Sequence, residues 1–251
     1  PTRRSSDLLA LFFMERKRDL LAGFFLALVI LKPPLVTILV LLGLWLLFSR
    51  RWRVIGGMAL GGLTLLLVGL LQDPQWLTKF LGTGDSLLGM RLGHQPTILS
   101  YTRLACAGDM SCAITWYAVI ALSLAALFAV ILWKTHARLN PLQAFSLAIP
   151  LGVLLPPYIW SYDYTLLVIP IAYVAFEMVR RQKTYIYATL FLLALTALAL
   201  AGLTMFWMNP DSNALNIQRD MWSIWTGLYV LAAAWWLVLR APPESVAGVT
   251  R

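Results

Sequence analysis

The sequence predicts an all-α protein, a polytopic transmembrane helical bundle in which two helix pairs, at 20–49 and 142–179, are short and broken. Three observations carry that reading. First, of the 251 residues 60% are hydrophobic and only 12% are charged, where soluble domains carry about 25% charge. Second, the mean hydropathy is +0.77. Third, the apolar runs are separated by short Lys/Arg clusters on every second turn, the pattern of the positive-inside rule. Thirteen of the twenty Lys and Arg residues fall in loops that this alternation places inside. The formal charge of +9 therefore reports orientation and gives no indication of a nucleic-acid partner.

The first eight residues, PTRRSSDL, look like the translation of a sequencing adapter fused to a gene fragment. On that reading residues 1–8 are a non-native tail, and 9–251 are the C-terminal part of a longer multi-pass domain. Residues 8–14 are too short to span and read as the tail of a helix. Arg16, Lys17 and Arg18 mark the inside. Residues 20–31 rise outward, Lys32-Pro33-Pro34 interrupts, and 35–49 return to Arg50, Arg51 and Arg53. Residues 54–71 cross outward with Gly56, Gly57, Gly61 and Gly62, small residues that let helices approach closely. The polar stretch 72–113 is an outer loop. Residues 114–133 cross inward to Lys134 and Arg138. Residues 142–155 go out, PPYIWSYDY interrupts, and 165–179 return to Arg180, Arg181 and Lys183. Two further spans, 185–207 and 222–239, complete the bundle and leave the C-terminus inside. Glu177, near the inner end of its arm, reads as interfacial.

The two interrupted pairs share a geometry. Arms of 12–15 residues reach only about 18–23 Å at 1.5 Å per residue, against a hydrocarbon core of about 30 Å. Both breaks are therefore expected below the outer surface, as the floor of a cavity open outward. Lys32 is a cation within an apolar run, which is costly and points to function. A helix beginning at Pro33 or Pro34 would set its positive end beside the ammonium and make an anion site. The plain alternative is a proline kink with Lys32 snorkelling to the interface.

Asp163 is the acid placed near membrane depth on the outer side. It reads either as the cap of an arm starting at Thr165, or as a catalytic group, a metal ligand or a holder of a sugar hydroxyl. Trp160, Tyr158, Tyr162 and Tyr164 surround it, and aromatic faces with polar tips suit both an interface and sugar stacking. In the outer loop, Asp85, Ser86 and Arg91 lie in a glycine-flanked run, followed by Tyr101, Arg103 and Asp109. Arg91 and Arg103 oppose the positive-inside bias. They read as partners of Asp85 or Asp109, or as forks for a phosphate. Cys106 and Cys112, the only cysteines, are able to form a disulfide in an oxidising compartment. His94 and His136 lie on opposite sides and give no metal-ligand spacing. No phosphate-loop, dinucleotide or nucleophile-elbow motif occurs.

Three stretches in series carry a family resemblance: AGFFLALVILKPPL with the basic turn RRWR, GDSLLGM, and PPYIWSYDY. They resemble glycosyltransferase family 87, of the GT-C class of polyprenol-phosphate-sugar-dependent enzymes. The resemblance implies a GT-C-like bundle transferring a hexose, often mannose, from a lipid-phosphate donor to a lipid or glycan acceptor at the outer face of a bacterial plasma membrane. It implies that Lys32 binds the donor phosphate with help from Arg91 or Arg103. Asp85, Ser86, Tyr101, Trp160 and Tyr162 become candidates for holding sugar or acceptor. Asp85 stands where the family pattern has an amide, and Tyr162 and Asp163 stand where some members carry histidines. The family's general base is an acid in a first outer loop upstream of this chain, so the chain alone is expected to be inactive. No cofactor or metal is expected, because a polyprenyl monophosphate has no diphosphate to chelate. Two other classes stay open on the residues alone. A secondary transporter or lipid flippase also pairs broken helices, and a non-catalytic subunit of a cell-envelope assembly is the other.

Overall fold

The computed structural model describes residues 5–76, 78–79, 96–159, 161–182, 185–208 and 223–240. Among them every regular element is helical. The α-helices are α1 (Ser5–Glu15), α2 (Asp19–Ala27), α3 (Val36–Phe48), α4 (Trp52–Gln72), α5 (Ile98–Ala105), α6 (Met110–Thr135), α7 (Pro141–Leu154), α8 (Val168–Gln182), α9 (Ile186–Met208) and α10 (Ser223–Leu239). The membrane-bundle class expected from composition holds. The stretches Trp52–Gln72, Met110–Thr135 and Ile186–Thr204 are long and apolar enough to cross a bilayer. The arms α3, α7 and α8 have 13, 14 and 15 residues. At about 1.5 Å per residue they reach about 20–23 Å, short of a full span.

The helix starts follow local chemistry. Pro141 opens α7 behind Asn140. The Asn140 side chain accepts from the Gln143 backbone N–H at 2.9 Å, and the Gln143 side chain accepts from the Asn140 N–H at 3.0 Å. That reciprocal box satisfies two donors the helix itself leaves over. At α6 the cap is Asp109, which accepts from Ser111 N–H at 2.9 Å. Asp109, a candidate partner for the outer-loop arginines, serves the helix start through Oδ1. Between α5 and α6 the turn is closed by a Cys106–Cys112 disulfide.

Helix α7 is the centre of the bundle. Every residue from Ala144 to Leu154 is buried, and α7 packs on α3, α8 and α10. An all-round apolar helix is stable only when surrounded. The first break splays its two arms onto different neighbours: α2 lies along α4, while α3 packs against α7. The α2–α4 contact runs through small residues. A Cβ on Gly57 would collide with the Leu20 carbonyl, one on Gly23 with the Val54 carbonyl, and one on Gly61 would lie 2.7 Å from Ala27 Cβ. The packing role read for the glycine run therefore belongs to Gly57 and Gly61, four residues apart on one face. A Cβ on Gly62 meets nothing within 4 Å.

Glu177 departs from its interfacial reading. It is 3% exposed and accepts from Arg180 Nη2 at 2.7 Å and Arg181 Nε at 2.6 Å. Arg181 Nη1 also donates to the Leu237 carbonyl at 2.8 Å, tying the end of α8 to the end of α10. The acid is buried because two arginines of its own helix supply its counter-charge.

The glycine crossing is open to test by thermal unfolding in detergent. Gly57→Ala is expected to cost about 1–3 kcal/mol, the usual range for overpacking a tight contact. Gly62→Ala is expected to be neutral or slightly stabilising.

Candidate functional site

The first break is built by its prolines. The residue before a proline is pushed out of the helical region, and Lys32 is extended, with φ −121° and ψ 95°. A 3-10 turn, Leu28–Leu31, leads into it, and a second, Pro33–Leu35, leads out to α3. This second turn corrects the expected helix-terminus anion site. Pro33 and Pro34 carry no N–H. The next two donors are already engaged: Leu35 N–H with the Lys32 carbonyl at 2.9 Å, and Val36 N–H with the Pro33 carbonyl. Positive charge at the break is thus carried by the Lys32 ammonium.

The second break follows α7. Residues 155–159 are irregular, a 3-10 helix covers Ser161–Leu167, and α8 starts at Val168. Asp163 therefore sits inside the 3-10 turn, five residues ahead of α8, instead of capping an arm that begins at Thr165. Its carboxylate accepts from Lys32 Nζ across 131 residues of sequence. The Asp163 side chain is 5% exposed and that of Lys32 23%. This pairing answers the snorkelling alternative: the ammonium is held inward by an acid. A charge at membrane depth is tolerated when it is paired and faces the bundle interior.

A third segment joins the same place. Tyr164 Oη donates to the Pro96 carbonyl at 2.6 Å. Thr97, which caps α5 by accepting from Ser100 N–H, donates to the Pro157 carbonyl at 3.4 Å. Tyr117 of α6 donates to the Leu155 carbonyl at 2.5 Å. Proline-rich irregular backbone leaves carbonyls without helical partners, and at membrane depth each must find a donor. Tyr117, Tyr164 and Thr97 supply three of them.

Of the residues singled out from sequence, the fold brings Lys32 and Asp163 into direct contact. Tyr101 is half-buried on α5, its ring edge-on to Trp225 of α10 with centroids 6.1 Å apart. Arg103 lies in the last turn of α5, three residues before the disulfide. Arg91, Asp85, Ser86 and Trp160 lie outside the described residues, as does the side chain of Tyr162. Sequence reasoning missed the Lys32–Asp163 pairing and the roles of Tyr117, Thr97 and Pro96. A signal for the first was present: two interrupted apolar runs, each with one charged residue at its break, of opposite sign. The carbonyl donors had no comparable signal, since a tyrosine or threonine near a span end is ordinary.

The site combines a largely buried ion pair, a proline-interrupted apolar run and side-chain donors to the freed carbonyls. The model of glycosyltransferase family 87 matches residues 7–157, well over half of the chain. The chain belongs to glycosyltransferase family 87. The match contains the whole Lys32 break, α5 to α7 and the disulfide, and it ends inside the second break, six residues before Asp163. Comparisons with curated proteins and with solved structures found no match. Family-87 membership makes this a membrane glycosyltransferase chain and favours that class over the transporter and accessory-subunit alternatives.

The ion pair can be tested as a structural element. Asp163→Ala strands the ammonium. It is expected to cost about 2–3 kcal/mol in denaturant unfolding in micelles, below the 3–5 kcal/mol of a fully enclosed pair because Lys32 keeps some exposure. The double variant Lys32→Met/Asp163→Leu is expected to recover most of that loss, since replacing both charges leaves neither uncompensated.

Proposed function

We propose that this chain forms the donor-binding part of an enzyme that transfers a hexose, mannose in the first instance, from a polyprenyl-phosphate-sugar. The acceptor is a lipid or glycan at the extracytoplasmic face of a bacterial plasma membrane. The observation that carries this reading is the Lys32–Asp163 contact at the junction of the two breaks. It displays the geometry in which Lys32 receives an anionic oxygen, and a donor phosphate oxygen asks for the same. The apolar residues beside it, Ile30 and Leu31, are 41% and 55% exposed. They offer a surface to a polyprenyl chain arriving sideways from the bilayer.

The chemistry follows from that placement. The acceptor hydroxyl attacks the anomeric carbon and forms the new glycosidic bond, while the bond from that carbon to the phosphate oxygen breaks. The bonding pair leaves on polyprenyl phosphate, so negative charge grows on the phosphate as the reaction proceeds. A fixed ammonium in a site of low dielectric is worth most at that moment. The hydroxyl proton passes to a general base, which the family resemblance assigns to an acid upstream of residue 9. Asp163, engaged by Lys32, is a positioning residue in this scheme. Arg103 is the described candidate for a second phosphate contact, and Arg91 the other. A polyprenyl monophosphate gives a divalent cation nothing to chelate, so transfer is metal-independent in this reading. The C-terminus is cytoplasmic in this reading, which the alternation of Lys/Arg clusters supports.

Membranes carrying the chain can be labelled with a photoreactive polyprenyl-phosphate analogue. Lys32→Ala is expected to lower labelling at least about tenfold, the loss of roughly 1.4 kcal/mol or more of phosphate binding. A matched polyprenol without phosphate is expected to label both forms equally. Unchanged labelling of the Lys32→Ala form by the phosphate analogue would sink the reading. In the same membranes, EDTA is expected to leave labelling unchanged.

A further inference from the structure

The inner ends of the helices carry two arginine clusters of different character. At the end of α8 the charges are internally matched, with Arg180 and Arg181 both engaged by Glu177. At the turn between α3 and α4 they are not. There a cavity of about 660 Å³ opens between that turn and the end of α6, lined by Leu47, Phe48, Arg50, Arg51, Trp133 and His136 among others, with no acidic residue among the described residues of its wall.

The two arginines are held in place by the backbone. Arg50 N–H bonds the Leu47 carbonyl at 3.1 Å and Arg51 N–H the Leu46 carbonyl at 3.0 Å. This is the pair of bonds that closes a helix with a left-handed residue. Arg50 is that residue, at φ 55°. Glycine is the cheap choice there, and a side chain is strained. The Arg51 guanidinium lies 5.0 Å from the centre of the Trp45 ring, an attractive contact that limits its swing. His136 Nδ1 stands 2.9 Å from the Trp133 carbonyl and 3.2 Å from that of Leu132. Both partners are acceptors, so Nδ1 donates, and in the neutral ring that leaves Nε2 as an acceptor. The cavity thus offers two guanidinium forks and a nitrogen that can receive a hydroxyl.

We propose that this cavity binds the headgroup of an anionic phospholipid bearing hydroxyls, as in phosphatidylglycerol. Arg50 and Arg51 take the phosphodiester, and His136 Nε2 takes a headgroup hydroxyl. Basic pockets between helix ends are suited to such headgroups, and guanidinium forks match phosphate oxygens two at a time. The apolar surface that runs on from the cavity argues for a lipid over a soluble anion. Phe48 and Trp133 are 39% and 66% exposed, and Val40 on α3 and Val130 on α6 continue exposed along the same helices. A lipid covers that surface with its glycerol and acyl chains; a free phosphate leaves it wet. The site is separate from Lys32 and does not rest on the donor reading.

The test is native mass spectrometry of the purified chain titrated in detergent with phosphatidylglycerol or phosphatidylcholine. The wild type is expected to retain phosphatidylglycerol about tenfold more tightly, a 1.4 kcal/mol preference. Arg50→Gln/Arg51→Gln is expected to abolish the preference. Arg50→Lys/Arg51→Lys keeps the charge that sets topology but loses the forks, and is expected to weaken binding about three- to tenfold. Arg53→Gln, an exposed residue of the same basic turn, is expected to bind as the wild type. Equal retention of both lipids by the wild type would overturn the proposal. So would an Arg53→Gln loss as large as that of the double Gln variant, or full displacement of phosphatidylglycerol by inorganic phosphate.

Discussion

The Lys32–Asp163 ion pair is the contact on which the arrangement of this chain turns. Each helix break carries a cost of its own: prolines remove backbone donors, and freed carbonyls have no water to turn to at membrane depth. One break brings a cation and the other an acid. Apart, each would be an uncompensated charge in a medium that punishes it. Together they fasten two irregular segments whose own hydrogen bonding would not define their positions. Side-chain donors from α5, α6 and the second break then take up individual carbonyls of the proline-rich backbone.

The scaffold that holds this junction divides its work. Helix α7 is enclosed on every side and delivers the second break from a fixed post. The α2–α4 pair approaches backbone to backbone through glycines, and so sets the direction from which Lys32 arrives. Helices α4, α6 and α9 are largely exposed along their length, as suits helices that face lipid. Rigid central post, close-packed pair and lipid-facing outer helices together give the site a fixed floor.

Much of the class was legible in the sequence, because a bilayer imposes one-dimensional rules. Span length, Lys/Arg clusters and proline positions are local properties, and they gave the bundle, the short arms and both breaks. Lys32 was singled out because a cation in an apolar run is costly wherever the chain folds. What stayed hidden was long-range. That Asp163 partners Lys32, and that Glu177 is buried under two arginines, depends on which helices are neighbours. Apolar periodicity is silent on neighbours when helices are apolar all round. The enclosed α7 and the peripheral α9 have similar compositions, and only packing tells them apart. The α3 terminus misled for a local reason: two consecutive prolines produce a 3-10 turn that uses up the very donors an anion would need.

The distance in sequence between Lys32 and Asp163 has a consequence for biogenesis. Some 131 residues separate them, so at a synthesis rate of roughly 5–20 residues per second the lysine is made about 7–26 s before its acid. Through that interval the first break stands in or at the bilayer with its charge unmatched by the partner it keeps in the finished fold. The long lysine stem allows the ammonium to wait at the headgroup level. Closure of the junction is then a late event, set by the arrival of the second break.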